Sequence, residues 1–178
     1  AAIGSGLGAM VAKLTYGVRK FEHLESRLRK TIPVLHETTL KLIPMIDADT
    51  NAFNDYVDAM RLPQNTEDEK KARFEKMQAG LKKAIEVPLA TMKIGDSAWE
   101  MMVEAAECGN IASKSDMQVG ARALEIGIWG AYQNVMINMA GIKDEKFVTD
   151  VTAEAVRIKE RAEKFCSQIQ KLLENRKE

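Results

Sequence analysis

The chain has 178 residues, 26 basic and 26 acidic side chains, and a formal net charge of zero. That length suits one domain, and 46% hydrophobic with 29% charged residues is the profile of a globular protein. Balanced charge argues against a nucleic-acid or anionic-membrane binder, whose affinity needs a surplus of Lys and Arg. Cys108 and Cys166 make no CxxC and no disulfide framework, which points to a reducing, cytosolic compartment. His23 and His36 are too few for a His-rich metal site, so any catalysis falls to carboxylates, amides, hydroxyls or lysines.

The opening AAIGSGLGAMVAKLTYG is apolar but broken by Gly4, Gly6 and Gly8 and interrupted by Lys13. It is shorter than the roughly 20 apolar residues a bilayer needs and lacks the basic flank of a signal peptide. It reads as a first helix from Ala1 to about Tyr16, starting so abruptly that it is expected to continue from a longer protein. Ala1, Gly4, Gly8 and Ala12 recur every three or four positions, a flat stripe that lets another backbone approach closely.

Helix formers dominate the rest and alternating strand patterns are absent. A second segment runs from about Phe21 to Arg61, with kinks expected at Pro33 and Pro44. Leu62-Pro63-Gln64-Asn65 stops it. Thr66 followed by Glu67, Asp68 and Glu69 is a capping-box start for a third segment, bent or broken at Pro88 and ending near Cys108, with Gly109 just beyond. Ser113 or Ser115 caps a fourth, from about Asp116 to Ala140. Asp144 starts a fifth, charged and amphipathic, to about Asn175. With no repeat and no interdomain linker, residues 1–178 read as one all-α domain, a bundle of about five long, partly kinked helices.

Two segments carry candidate site residues. At 100° per residue, Leu42, Met45, Ile46, Phe53, Tyr56, Val57 and Met60 fall within about 60° of one direction, read as the core-facing stripe. Asp47 lies roughly opposite, as solvated surface. Asp49 lies in the middle of the stripe, where an acid must be paired, hydrogen-bonded, protonated or lining a cavity. That setting suits a proton shuttle, or equally a core-edge Asp satisfied by a donor. Lys41 lies about 80° away, within reach of the same pocket mouth. In the fourth segment Gly120, Ala123, Gly127, Ala131, Asn134 and Asn138 form one narrow line, small at its start and amide-bearing at its end. Such a line suits close helix packing or the wall of a slot for a flat polar ligand, whose ring edge the asparagines would hydrogen-bond. GSGLG lacks the strand-turn-helix context of a dinucleotide site, and no P-loop, HExxH, GxSxG or EF-hand occurs.

An ordered series of short motifs spans the chain. Leu14-Thr15-Tyr16-Gly17, Phe21, Ile46-Asp47-Ala48-Asp49 and Ala52-Phe53 come first. Met60-Arg61-Leu62-Pro63, Asn65-Thr66, Val87-Pro88-Leu89, Cys108-Gly109-Asn110, Ser115-Asp116 and Gln118-Val119 follow, then Gly130-Ala131-Tyr132, Asn134-Val135 and Ile137-Asn138. The series resembles the formiminotetrahydrofolate cyclodeaminase family, most of all the C-terminal domain of its bifunctional formimidoyltransferase-cyclodeaminase members.

The resemblance implies an all-α dimer, part of an octameric ring in bifunctional members. It implies conversion of 5-formimidoyltetrahydrofolate to 5,10-methenyltetrahydrofolate and ammonia, a late step of histidine degradation. It aligns the family's catalytic acid/base aspartate with Asp49. Tyr16 and Lys41 are then candidates for contacts to the pterin or glutamate portions of the substrate, and Asn134 and Asn138 for the pterin edge. No metal or redox cofactor is implied; the tetrahydrofolate derivative is the substrate. The implied location is cytoplasmic, with Golgi or centrosome association in bifunctional members. A glycine-rich PGGGS segment precedes the first helix in the family and lines the folate site; this chain begins after it, so the resemblance implies a site that is incomplete without that segment. The transferase domain is also absent from these residues. Methenyltetrahydrofolate cyclohydrolase activity and a non-catalytic helical dimerisation scaffold are the alternatives.

Overall fold

A computed structural model describes residues 1–176, and among them every regular element is helical. Seven α-helices follow in order: α1 (Ala2–Thr15), α2 (Glu25–Leu42), α3 (Met45–Met60), α4 (Glu67–Asp96), α5 (Trp99–Cys108), α6 (Lys114–Met139) and α7 (Glu145–Asn175). Short 3-10 turns, Arg19–Leu24 and Ile111–Ser113, lead into α2 and α6.

The five expected segments become seven helices because two of them break, and only one break is at a proline. Pro44 separates α2 from α3, since it has no N–H to donate to the carbonyl one turn back. The third segment breaks at Ser97–Ala98, where Ala98 N–H turns back to Gly95. Of the bend or break expected at Pro88, the break does not occur: α4 is continuous through Pro88, as α2 is through Pro33. The Thr66 capping box forms: Thr66 Oγ1 accepts from Glu69 N–H at 3.2 Å, and Glu69 accepts from Thr66 N–H at 3.1 Å. Asp144 caps α7 by accepting from Phe147 N–H at 3.0 Å. Ser113 precedes α6, but its hydroxyl makes no cap bond. Gly109 ends α5 in extended backbone, so no left-handed turn demands glycine there.

The centre of the bundle is α6, packed on α1, α4 and α7. The core joins Leu28 and Leu35 of α2, Ile85 and Met92 of α4, Trp99 and Met102 of α5, Leu124 and Ile128 of α6, and Ile158 and Ile169 of α7. Trp99 stacks on Phe165 with ring centroids 5.9 Å apart. At the edges, Arg27 of α2 grips Glu104 and Glu107 of α5 and holds the Glu104 carboxyl below its ordinary value. Arg161 of α7 spans Asp96 and Glu100 across the α4–α5 break.

Helices α1 and α6 cross at close range. A Cβ on Gly4 would lie 2.4 Å from Leu124 N and 2.6 Å from the Gly120 carbonyl oxygen. A Cβ on Gly127 would lie 2.1 Å from Ala1 N and 2.6 Å from Ala1 Cα. These obstacles are backbone, which no rotamer change can move aside. Each glycine costs about 1 kcal/mol of helix propensity relative to Ala, and the crossing offsets that cost by dense contact.

Gly4→Ala is therefore expected to lower stability by about 2 kcal/mol despite its better helix propensity. Gly130, on the open side of α6, has nothing within 4 Å of its Cβ position. Gly130→Ala is expected to raise stability by about 0.5–1 kcal/mol. Urea unfolding of the two variants checks the opposite signs.

Candidate functional site

The break at Pro44 sets how α3 presents its side chains. On the wheel Ala48, Ala52 and Ala59 point about 90° away from the apolar stripe, and it is they that face inward. Ala52 and Ala59 are buried, and the backbone of Tyr56 packs against Gly80 of α4, whose Cβ would lie 3.0 Å from Tyr56 Cα. Small residues let α3 lie close on α4. The larger apolar residues are left outward: Ile46 is 70% and Phe53 56% exposed. The expectation of a core-facing stripe with Asp49 buried in its middle is thus corrected. The stripe is split: Leu42 is buried and Met45, Tyr56 and Val57 are half-buried, while Ile46, Phe53 and Met60 stay open and Asp49 is exposed among them.

Asp49 nonetheless lines a cavity of about 430 Å³. Four walls meet there. The start of α1 gives Ala1, Ala2 and Ile3; the α2–α3 bend gives Leu42, Met45 and Ile46; α4 gives Pro88 and Thr91; α6 gives Ile126, Gly127, Gly130, Ala131 and Asn134. The lining is apolar apart from one carboxylate, one hydroxyl and one carboxamide. That is the composition of a small-molecule site, in which a few polar groups orient a ligand held by apolar walls. Ile3, Ile46 and Ile126, between 63% and 73% exposed, stand around its mouth. Furrows in the α3–α4 seam and along α7 are lined instead by groups such as Asp55, Lys83, Glu163 and Lys171.

The small-residue line of α6 serves two ends. Gly120 and Gly127 serve the crossing with α1, while Gly127, Ala131 and Asn134, with Gly130 beside the line, face the cavity. Asn138 departs from the sequence expectation: it is not among the cavity-lining residues, and its amide Nδ2 donates to Asn134 O at 3.0 Å and to Ala84 O at 3.4 Å. Ala84 is four residues before Pro88, so its carbonyl is the one the proline deprives of a helical donor. Asn138 supplies that donor from the neighbouring helix, one reason α4 continues past Pro88. Lys41 also lies outside the lining; its Nζ pairs with Glu37 at 2.8 Å on the exposed side of α2. Tyr16 stands near the far end of α1, its hydroxyl accepting from Arg29 Nη2 at 3.1 Å. Only Asp49 and Asn134 of the five predicted residues share the cavity. Helical periodicity missed Pro88, Thr91 and the α1 terminus, because that signal describes one helix and this cavity is made by four.

The class is an all-α helical bundle whose cleft sets one acid and one amide among apolar walls. The chain belongs to the formiminotransferase-cyclodeaminase family, whose model matches residues 1–157. It is 44% identical over 176 residues to a Gallus gallus protein and 46% identical over 178 residues to a Dictyostelium discoideum protein, both named formimidoyltransferase-cyclodeaminase. These alignments cover 99% and 100% of this chain and 32% of each relative, so the chain spans about a third of their length. A Methylorubrum extorquens methenyltetrahydrofolate cyclohydrolase is 34% identical over 149 residues, covering 84% of this chain and 72% of that protein. The crystal structure of a Thermotoga maritima formiminotetrahydrofolate cyclodeaminase superposes with a TM-score of 0.84 at 25% identity, covering 97% of this chain and 82% of that one.

The role of Asn138 is separable by a double-mutant cycle. Asn138→Leu is expected to destabilise the chain by about 1–3 kcal/mol, the cost of an unpaired buried carbonyl. In a Pro88→Ala background, where residue 88 regains its N–H, most of that penalty is expected to vanish. Chemical unfolding of the four chains gives the coupling.

Proposed function

We propose that the Asp49 cavity closes the ring of 5-formimidoyltetrahydrofolate to give 5,10-methenyltetrahydrofolate and ammonia. Asp49 itself carries the reading: it lines the cavity alongside Asn134 in a chain whose relatives bear the cyclodeaminase name. The substrate holds an amidinium, N5–CH=NH2+, beside N10–H. N10 attacks the amidinium carbon, and the new N10–C bond makes a tetrahedral centre between N5, N10 and the amino group. The proton of N10 must leave and the amino group must gain one. The C–N bond then breaks, its electron pair leaves with ammonia, and the methenyl cation remains. One carboxylate that takes the N10 proton and returns it to the departing nitrogen serves both steps, and Asp49 is assigned that role. Holding the folate so that N10 faces the carbon supplies proximity. The atoms balance without any change of oxidation state, so the proposed step calls for no redox cofactor.

Asn134 is assigned to the pterin edge, where its amide can both donate and accept. The exposed isoleucines around the mouth, with the outward Phe53, form an apolar face continuous with the cavity. A second copy of the chain is proposed to cover this face, which would desolvate Asp49 and bring about the burial that the sequence stripe implied. Sedimentation is expected to show a dimer that Ile46→Glu dissociates; a monomeric parent chain contradicts the pairing.

A second reading has its own support in the cyclohydrolase relative. There water would be the nucleophile on a methenyl substrate, and no ammonia would form. Turnover of 5-formimidoyltetrahydrofolate, followed by the near-ultraviolet methenyl chromophore and by ammonia together, separates the two. Assays use this chain and one extended by the family's PGGGS segment. Equal yields of both products are expected. Asp49→Asn is expected to keep folate binding and lose at least about 100-fold in kcat, the scale of general acid–base catalysis. Asp47→Asn is expected to stay within a few-fold of the parent. Comparable activity in the two variants contradicts the assignment; ammonia-free chemistry favours the cyclohydrolase, and folded but inert chains favour a scaffold.

A further inference from the structure

The Asp49 cavity continues along a furrow that the ring closure itself does not use. Helices α1 and α2 run antiparallel: Ser5 Oγ lies 2.9 Å from Thr39 Oγ1, and Gly8 faces Leu35. On one lip of their seam Ile3, Gly6, Met10 and Lys13 follow one another at helical spacing, opposite Leu42, Thr39, His36 and Pro33. Ile3 and Leu42 line the Asp49 cavity, and the remaining six line a second hollow of about 480 Å³. The two hollows are therefore successive stretches of one seam. Gly6 stands between them without a side chain to dam it, and a Cβ there would meet only Thr39, at 3.8 Å.

The furrow is graded along its length. It has a carboxylate at one end, an apolar middle at Met10 and Pro33, and a basic far end at Lys13 and His36. Past Lys13 the Tyr16 hydroxyl holds Arg29 at the same end. Glu37, the acid next to His36, is taken up by Lys41. From Ile3 to Lys13 the helix advances about 15 Å. In an extended tetrahydrofolate, N10 is separated from the glutamate γ-carboxylate by roughly 12 Å at ordinary bond lengths, with a flat benzoyl ring between them. Length and polarity run the same way in ligand and furrow.

We propose that the α1–α2 furrow receives the p-aminobenzoyl-glutamate arm of the substrate and that Lys13 is the specificity residue for its carboxylates. The proposal rests on the folate reading of the Asp49 cavity. With the reacting nitrogens near Asp49, the benzoyl ring lies on Met10 and Pro33, and the glutamate carboxylates reach Lys13, with Arg29 behind it. Charge pairing at an exposed groove contributes modestly to affinity, but it discriminates between ligands with and without the anion.

The test is equilibrium binding of two probes, tetrahydrofolate and tetrahydropteroate, which differ only by the glutamate. The parent chain is expected to prefer tetrahydrofolate. Lys13→Glu is expected to weaken tetrahydrofolate at least tenfold and to leave tetrahydropteroate within twofold, and Lys13→Arg to restore the preference. Lys13 is exposed on a helix surface, so its variants should fold, and circular dichroism verifies this. Unchanged tetrahydrofolate affinity in Lys13→Glu overturns the proposal, as does equal loss of both probes; either result leaves the Asp49 reading standing. Failure of both this chain and the chain extended by the PGGGS segment to bind either probe contradicts the Asp49 reading, and the furrow assignment falls with it.

Discussion

The crossing of α1 over α6 is the contact on which the rest of the arrangement depends. Gly4 and Gly127 let two backbones come closer than any side chain permits. The approach fixes where the start of α1 lies, and that start is one wall of the Asp49 cavity. The same residues that cost helix propensity thus define the site, so the crossing links local sequence to packing and to chemistry. It also aims α1 back along α2, which creates the furrow leading from Asp49 to Lys13.

A second constraint is the proline inside α4. Its ring removes a donor that the helix needs, and Asn138 of α6 returns one to the Ala84 carbonyl. The repair ties α4 to α6 one turn from Pro88 and Asn134, which both line the cavity. An amide expected to read a ligand thus reads the protein's own backbone, while its neighbour one turn earlier stays free to face the cavity. Pro88 contributes a rigid apolar surface to the wall at no expense to the continuity of α4.

The sequence made the all-α class legible, along with the capping box at Thr66 and the start of the last helix at Asp144, because each rests on local chemistry. It also made Asp49 conspicuous, as an acid set among Ile46, Phe53 and Met60. The direction of that stripe was not legible. A helical wheel shows which residues share a face, but not whether the face meets a neighbouring helix of the same chain. Ala52 and Ala59 took the buried side of α3 because small side chains allow close approach, and Ile46 and Phe53 were left outside. The break at Ser97–Ala98 was also hidden, since no proline or left-handed glycine marks it. Tyr16 entered only with the resemblance, whereas the wheel had put Lys41 within reach of the Asp49 pocket mouth. The fold leaves Tyr16 at the basic end of the furrow and turns Lys41 toward Glu37.

The central claim is that the reacting centre of a folate sits against Asp49 between α1, α3, α4 and α6. The most direct test is a crystal structure of the chain with tetrahydrofolate bound. The account predicts N5 and N10 within about 3.5 Å of the Asp49 carboxylate, or one water away, as proton transfer requires. Folate density in another cleft, or a pterin bound with N5 and N10 turned away from Asp49, would contradict it.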